Sequence, residues 1–200
     1  DVYFTSILRD ESGKKLSKSL GNSPDPFYLF EKFGTDAVRF GVMLMSPQGS
    51  DVLFSEDRLE IGRNFMNKLW NACRFVEMNL PSDFNYSSGE EIDEKTLDIP
   101  EKWILSRLSK TIESYNYRLE RFHFNEAAKI LYEFTWNDFC DWYVEIAKLK
   151  FYGKDLERAD IARAVSTSCL QTILKLLHPF TPFITEELWC NFKPRNAGDL

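Results

Sequence analysis

Histidine and cysteine are scarce in this 200-residue chain, which carries two histidines, His123 and His178, and four cysteines, Cys73, Cys140, Cys169 and Cys190. The cysteines are 67, 29 and 21 residues apart, so no CxxC pair exists to open a zinc knuckle. Neither histidine has a second histidine, a cysteine or a close pair of acids beside it. That leaves no ligand set for a metal and no partner for a Ser–His triad, and no bound metal is expected. GxGxxG, Walker-type and HExxH motifs are missing as well. No apolar run approaches the roughly 18 residues of a membrane span, and no basic-then-apolar leader opens the chain, so no membrane partner is expected. The cysteines sit in helical apolar patterns and read as buried free thiols, which suits a reducing cytoplasm. The chain starts at Asp1, inside the apolar run Val2-Tyr3-Phe4. The expectation is a segment of a longer protein.

What is present describes a folded protein. Hydrophobic residues make up 44% and aromatics 15%, far more aromatic than a disordered chain carries. The net charge of -6 looks hostile to nucleic acid until it is located. Residues 81–101 hold seven acids and one base, so this stretch alone carries -6 and the rest is neutral. Basic surfaces elsewhere are therefore not excluded. The same stretch holds Pro81-Ser82, Ser87-Ser88-Gly89 and Pro100 and reads as a solvated interhelical loop.

Val2 to Leu8 is β-prone, Asp10-Glu11-Ser12-Gly13 is a turn, and Lys14 to Asn22 is a basic, hydroxyl-rich loop. Pro24-Asp25-Pro26 opens a helix that stops at Gly34. A second helix runs from about Thr35 to Met45, with Thr35 and Asp36 as cap candidates, and Pro47-Gln48-Gly49 breaks it. Ser55-Glu56-Asp57 starts a long helix whose stripe is Leu59, Met66, Leu69, Cys73, Val76 and Leu80, with Gly62 in the gap. Further long helices are predicted from about Glu101 to Phe122, from Asn125 as cap to Tyr152, and from Leu156 to Leu177. A short last helix begins at Thr185-Glu186-Glu187. The fold class is mainly α: a helical bundle over 55–200, preceded over 1–54 by a short β, loop and helix segment.

Two places do not fit a plain bundle. In Lys15-Leu16-Ser17-Lys18-Ser19, two lysines three apart with hydroxyls between and after suit a polyphosphate, since ammonium groups neutralise its oxygens and hydroxyls hydrogen-bond them. An ordinary exposed basic loop has the same composition. The other place is the polar side of the first long helix. At about 100° per residue, Asn64, Asn67, Lys68, Arg74 and Phe75 fall within about 60° of Asn71, opposite the apolar stripe. Amides can read base edges, cations can meet phosphates, and an exposed Phe75 can stack on an unstacked base. Alternatively, Phe75 packs under a neighbouring helix and the polar residues are merely solvated. Trp136, Phe139, Trp142 and Tyr143 read as core, with Asp138 and Asp141 as bonded groups among them.

Gly13-Lys14-Lys15-Leu16-Ser17-Lys18-Ser19-Leu20-Gly21-Asn22, followed by Asp25-Pro26, resembles the KMSKS signature of class I aminoacyl-tRNA synthetases, with Leu16 in place of the usual methionine. Gly34-Thr35-Asp36-Ala37-Val38-Arg39-Phe40 is similar to the segment that follows it in the valine, isoleucine and leucine enzymes. Three further blocks resemble the valine-specific branch. They are Asn64 to Ala72 with Arg74-Phe75, Trp136 to Tyr143, and Leu177-His178-Pro179-Phe180 with Pro182-Phe183 and Thr185-Glu186-Glu187.

The resemblance implies ATP-dependent attachment of valine to its tRNA, with Mg²⁺ accompanying ATP and no metal held by this segment. It implies Lys15, Ser17, Lys18 and Ser19 as catalytic residues, Lys15, Leu16 and Lys18 as ATP-binding, and Lys68, Asn71, Arg74 and Phe75 as anticodon-binding. Residues 1–54 would end the catalytic domain and 55–200 would form the anticodon-binding domain of a cytoplasmic, monomeric enzyme. The nucleotide-binding sheet and the editing domain would precede Asp1, so the segment alone is expected to be inactive. The alternatives are the isoleucine branch and a non-catalytic helical module that binds another protein.

Overall fold

The computed structural model describes residues 6–46, 49–84 and 95–192. Residues 1–5 of the β-prone opening, Pro47 and Gln48, residues 85–94 of the acidic stretch and the last eight residues lie outside them. Two short strands, β1 (Leu8–Arg9) and β2 (Val52–Leu53), pair in parallel with Leu8 opposite Val52. Between them lie the basic loop and helices α1 (Pro26–Phe33) and α2 (Thr35–Met45). Asp25 caps α1 by accepting the Phe27 N–H at 3.0 Å, and Pro26 sits where a helix start tolerates it. Gly34 joins the two helices with φ 92°, a conformation that glycine adopts without Cβ strain. It is also the N-cap of α2, in place of Thr35 or Asp36. Asp36 instead reaches across the molecule, its Oδ2 accepting the Ile184 N–H at 2.7 Å.

Helix α3 (Glu56–Met78) buries Leu59, Gly62, Phe65, Met66, Leu69, Ala72, Cys73 and Val76, the stripe read from its spacing with Phe65 and Ala72 added and without Leu80, which lies past the helix end and is only partly buried. A Cβ on Gly62 would stand 2.2 Å from the Ala37 carbonyl oxygen, so only glycine lets α2 cross α3 this closely. Phe40 of α2 stacks on Phe65 of α3 with ring centroids 4.8 Å apart.

The bundle continues with α4 (Ile99–Leu119), α5 (Phe124–Glu133), α6 (Val144–Phe151), α7 (Leu156–Leu177) and α8 (Pro182–Phe192). His123 is the N-cap of α5, where Asn125 was expected. Helices α5 and α6 are one rod joined through Phe134–Tyr143, a stretch of wider, π-type turns. The last helix starts at Pro182, three residues before Thr185, because Asp36 supplies an acceptor for its N-terminal N–H group.

One hydrophobic cluster runs from Leu29 to Phe192 through all the helices. Phe139 and Tyr143 are buried and Trp136 is partly buried, as expected of core aromatics, but Trp142 is 64% exposed. Its neighbours already fill the core side of the rod. Cys73, Cys140 and Cys169 are buried and Cys190 is exposed. Burial pushes the Cys140 and Cys169 thiols up to about 12, so they are inert nucleophiles. No helix among the described residues is long and apolar enough to cross a membrane.

Candidate functional site

The basic loop is held open by one carboxylate and one amide. Asp10 Oδ1 accepts the Ser12 N–H (3.0 Å), the Ser12 hydroxyl (2.7 Å) and the Lys14 N–H (2.9 Å). Its Oδ2 accepts from Asn22 Nδ2 at 2.7 Å. Asn22 in turn accepts the Ser17 N–H at 2.9 Å and donates to the Lys15 carbonyl at 3.2 Å. The backbone on both sides of Leu16 is thus tied to one side chain. The Ser12 and Asn22 hydrogen bonds lower the Asp10 carboxyl to about 2, so it is ionised at any ordinary pH.

Lys18-Ser19-Leu20 then form a single 3₁₀ turn closed by Gly21 at φ 67°. Lys15, Lys18 and Ser19 are exposed, Leu16 and Ser17 are partly buried, and the Ser17 and Ser19 hydroxyls are 2.7 Å apart. The structure therefore gathers the expected catalytic and ATP-binding residues on one short loop. The cleft on the Gly21–Asn22 side is lined by Glu11, Glu56 and Asp57 and not by the lysines. Its charge repels a polyphosphate, so the cationic edge is the side that suits one.

The second candidate surface is α3. Asn64, Asn67, Asn71 and Arg74 are exposed on it, as the spacing indicated. Lys68 and Phe75 are different. Lys68 pairs with Asp141, and its ammonium lies 4.3 Å from the Trp136 ring centroid. Phe75 was expected as an exposed platform, but it is half-buried. Its ring stacks on Phe151 of α6 at 5.9 Å, and the Lys148 ammonium stands over it at 5.2 Å. This is the alternative the sequence left open, Phe75 packed under a neighbouring helix, and the spacing of α3 did not say that the neighbour is α6. Asp138 pairs with Arg107 at 2.8 Å, so both aspartates of that block are bonded groups.

Sequence reasoning missed Asp10 and Asn22 as the clasp of the basic loop. An aspartate accepting from the residue two ahead is an ordinary Asx turn, and that signal was present in Asp10-Glu11-Ser12. The reach of Asn22 back across the loop had no local signal. Lys148 was missed because nothing in the spacing of α3 points to α6 as its neighbour. Among the described residues no group of three or more His, Cys, Asp or Glu could hold a metal ion.

Residues 1–55 match the family described as tRNA synthetases class I (I, L, M and V), and residues 101–197 match the anticodon-binding domain of tRNA ligase. The chain is 50% identical over 199 residues to the valine–tRNA ligase of Fusobacterium nucleatum, covering 96% of this chain and 22% of that protein. It is 48% identical over 189 residues to that of Syntrophotalea carbinolica, covering 94% and 21%, and 44% identical over 209 residues to that of Chlorobaculum tepidum, covering 100% and 23%. The chain thus spans about a fifth of the length of the curated relatives it matches.

Among solved structures, it superposes on LeuRS of Agrobacterium radiobacter in a ternary complex with tRNA and LeuAMS, with a TM-score of 0.72 and 22% identity over 97% of this chain and 22% of that one. It also superposes on Mycobacterium tuberculosis methionyl-tRNA synthetase in complex with methionyl-adenylate, with a TM-score of 0.70 and 18% identity over 92% and 36%. At these identities the likeness concerns the fold alone.

Proposed function

We propose, from the premise that this chain belongs to the class I tRNA synthetases, that the protein containing it joins valine to its tRNA at the expense of ATP. In that protein this segment supplies the signature loop and the helical surface that meets the anticodon. The observation that carries the reading is the Lys15–Ser19 loop: two exposed lysines and two adjacent hydroxyls on a backbone clasped by Asp10 and Asn22. Valine as the amino acid is supported by the 44–50% identity to valine–tRNA ligases.

ATP is a substrate, and the donor set fits its triphosphate. The ammonium groups of Lys15 and Lys18 would neutralise phosphate oxygens, and the Ser17 and Ser19 hydroxyls would donate hydrogen bonds to them. As valine's carboxylate attacks the α-phosphate, negative charge builds on the departing pyrophosphate. Lys18 would stabilise that charge, which is electrostatic catalysis and not proton transfer. Leu16, partly buried, ties the loop to β1 through its N–H, which donates to the Leu8 carbonyl at 3.0 Å, and would lie beside the bound ATP. Mg²⁺ would arrive with the ATP phosphates. On α3, Asn71 and Arg74 would read base edges and phosphate, with Lys68, held by Asp141 and Trp136, and Phe75, backed by Phe151 of α6, beside them. The division at 54/55 into catalytic and anticodon-binding parts, a monomeric state and a cytoplasmic setting belong to the same reading.

The test is amino-acid-dependent ATP–pyrophosphate exchange by the intact protein with valine, isoleucine and leucine. Exchange driven foremost by valine is expected. Preference for isoleucine would support the runner-up branch, and no exchange with any of the three would remove the synthetase reading.

A further inference from the structure

The junction of α3, α6 and α7 is built around Phe75. Asn79 Nδ2 donates to the Phe75 carbonyl at 2.8 Å, and Arg163 Nε of α7 donates to the Asn79 carbonyl at 2.8 Å. The Arg163 guanidinium also lies 5.9 Å from the Phe151 ring centroid, behind the ring that backs Phe75. Arg163 is thus committed to the scaffold. Lys148 is not committed in that way. Its ammonium stands over the Phe75 ring, and its ion-pair partner is Glu145 on the same helix at 2.5 Å, with that carboxylate 57% exposed. An exposed pair of this kind holds its cation weakly, so a phosphate can compete for Lys148. Arg74 and Asn71 are exposed on the adjoining helix.

We infer that Lys148 is a binding residue for single-stranded RNA, contacting a backbone phosphate of the nucleotide whose base stacks on Phe75. The site then spans two helices, with amide, guanidinium and ring from α3 and the second cation from α6. The ring is a rigid platform because Phe151 backs it, and the ammonium over it exchanges Glu145 for a phosphate when RNA arrives. This rests on the anticodon reading of α3 and adds to it a residue that α3 alone cannot supply.

The experiment measures affinity of the intact protein for valine tRNA at about 50 and 200 mM salt, with melting temperatures alongside, for wild type, Lys148→Gln, Lys148→Arg and Arg74→Ala. A lysine that displaces one counterion contributes about 0.7 to the logarithmic salt slope on a single strand. Lys148→Gln should therefore bind more weakly, and its deficit should shrink ~2.5-fold between the two salt concentrations. Lys148→Arg should keep the wild-type slope. A tRNA with a changed anticodon should show the same deficit, because a phosphate contact carries no sequence information. If Lys148→Gln keeps wild-type affinity and slope while Arg74→Ala loses both, the anticodon reading stands and Lys148 is only a packing residue. If neither variant changes affinity or slope, the α3 reading fails and this inference fails with it. A deficit in Lys148→Gln that is unchanged by salt also overturns it.

Discussion

Lys18 is the residue whose proposed role is sharpest. Its ammonium is exposed on the 3₁₀ turn and would act on charge that appears only as pyrophosphate leaves. Lys18→Ala in the intact protein should therefore slow adenylate formation by roughly 10² to 10³, about 2–4 kcal/mol, while valine binding changes little. Stopped-flow measurement of adenylate formation checks this, and a near wild-type rate removes Lys18 from the mechanism. Phe75 calls for a conservative variant, because its ring serves both packing against Phe151 and the proposed stacking. Phe75→Leu keeps most of the apolar volume and should cost under about 1.5 kcal/mol of stability. It should still weaken tRNA binding by roughly 1–3 kcal/mol for the lost ring. Equal tRNA affinity for Phe75→Leu and wild type would make Phe75 a core residue and nothing more. At this scale the sequence was legible where function is local. Lys15 to Ser19 could be read as a loop from five adjacent residues, whereas the ring of Phe75 and the ammonium of Lys68 depend on Phe151, Trp136 and Asp141, far along the chain.

Elements were legible wherever an apolar stripe repeats at helical spacing. α7 runs from Leu156 to Leu177 as read, and the stripe of α3 gained Phe65 and Ala72 and lost Leu80, which lies past its end. The π-type turns at Phe134–Tyr143 were not legible, because a run so rich in aromatics fits the core at several angular spacings. Nor was the ion network that ties α4 to α6. Glu101 is fully buried and pairs with Lys150 at 2.7 Å, and Asp98 takes the same ammonium at 2.9 Å. From sequence, Glu101 was merely an acid at a helix start. Lys150→Met would strand the buried Glu101 carboxylate and should cost about 3–5 kcal/mol, while Glu101→Gln combined with Lys150→Met should recover much of that. Urea unfolding of the single and double variants checks this, and additive costs would dismiss the pairing. The network also predicts acid sensitivity. The Lys150 hydrogen bond lowers the Asp98 carboxyl below its ordinary 3.8, so its contribution is complete above that value and is lost as pH falls through the lowered one.

At the scale of the whole molecule, the question is whether 55–192 is a unit that stands without what precedes it. The packing of α2 argues that it is not. Phe40 is fully buried and stacks on Phe65 at 4.8 Å, and the Ala37 carbonyl lies against Gly62. Polar ties run the same way. Asp36 accepts the Ile184 N–H at the start of α8, and Arg39 donates to the carbonyls of Phe180 at 3.1 Å and Pro179 at 3.4 Å. Deleting residues 1–54 would expose the α2-facing side of α3, open a cavity where Phe40 sits, and strip α8 of its acceptor. One buried phenylalanine lost is worth about 3–5 kcal/mol, and each kcal/mol moves the melting temperature of a chain this size by roughly 2–4 °C. A chain beginning at Ser55 should therefore melt at least ~6 °C lower than the 200-residue chain and bind a hydrophobic dye that the longer one excludes. Calorimetry and dye fluorescence on the two chains make the comparison. An unchanged melting temperature with no dye binding would mean that the helical bundle folds on its own and that α2 is only laid against it. The expected result would mean that the Lys15–Ser19 loop rides on a helix pair forming part of the bundle core, so that the proposed ATP-binding and RNA-binding surfaces share one continuous packing.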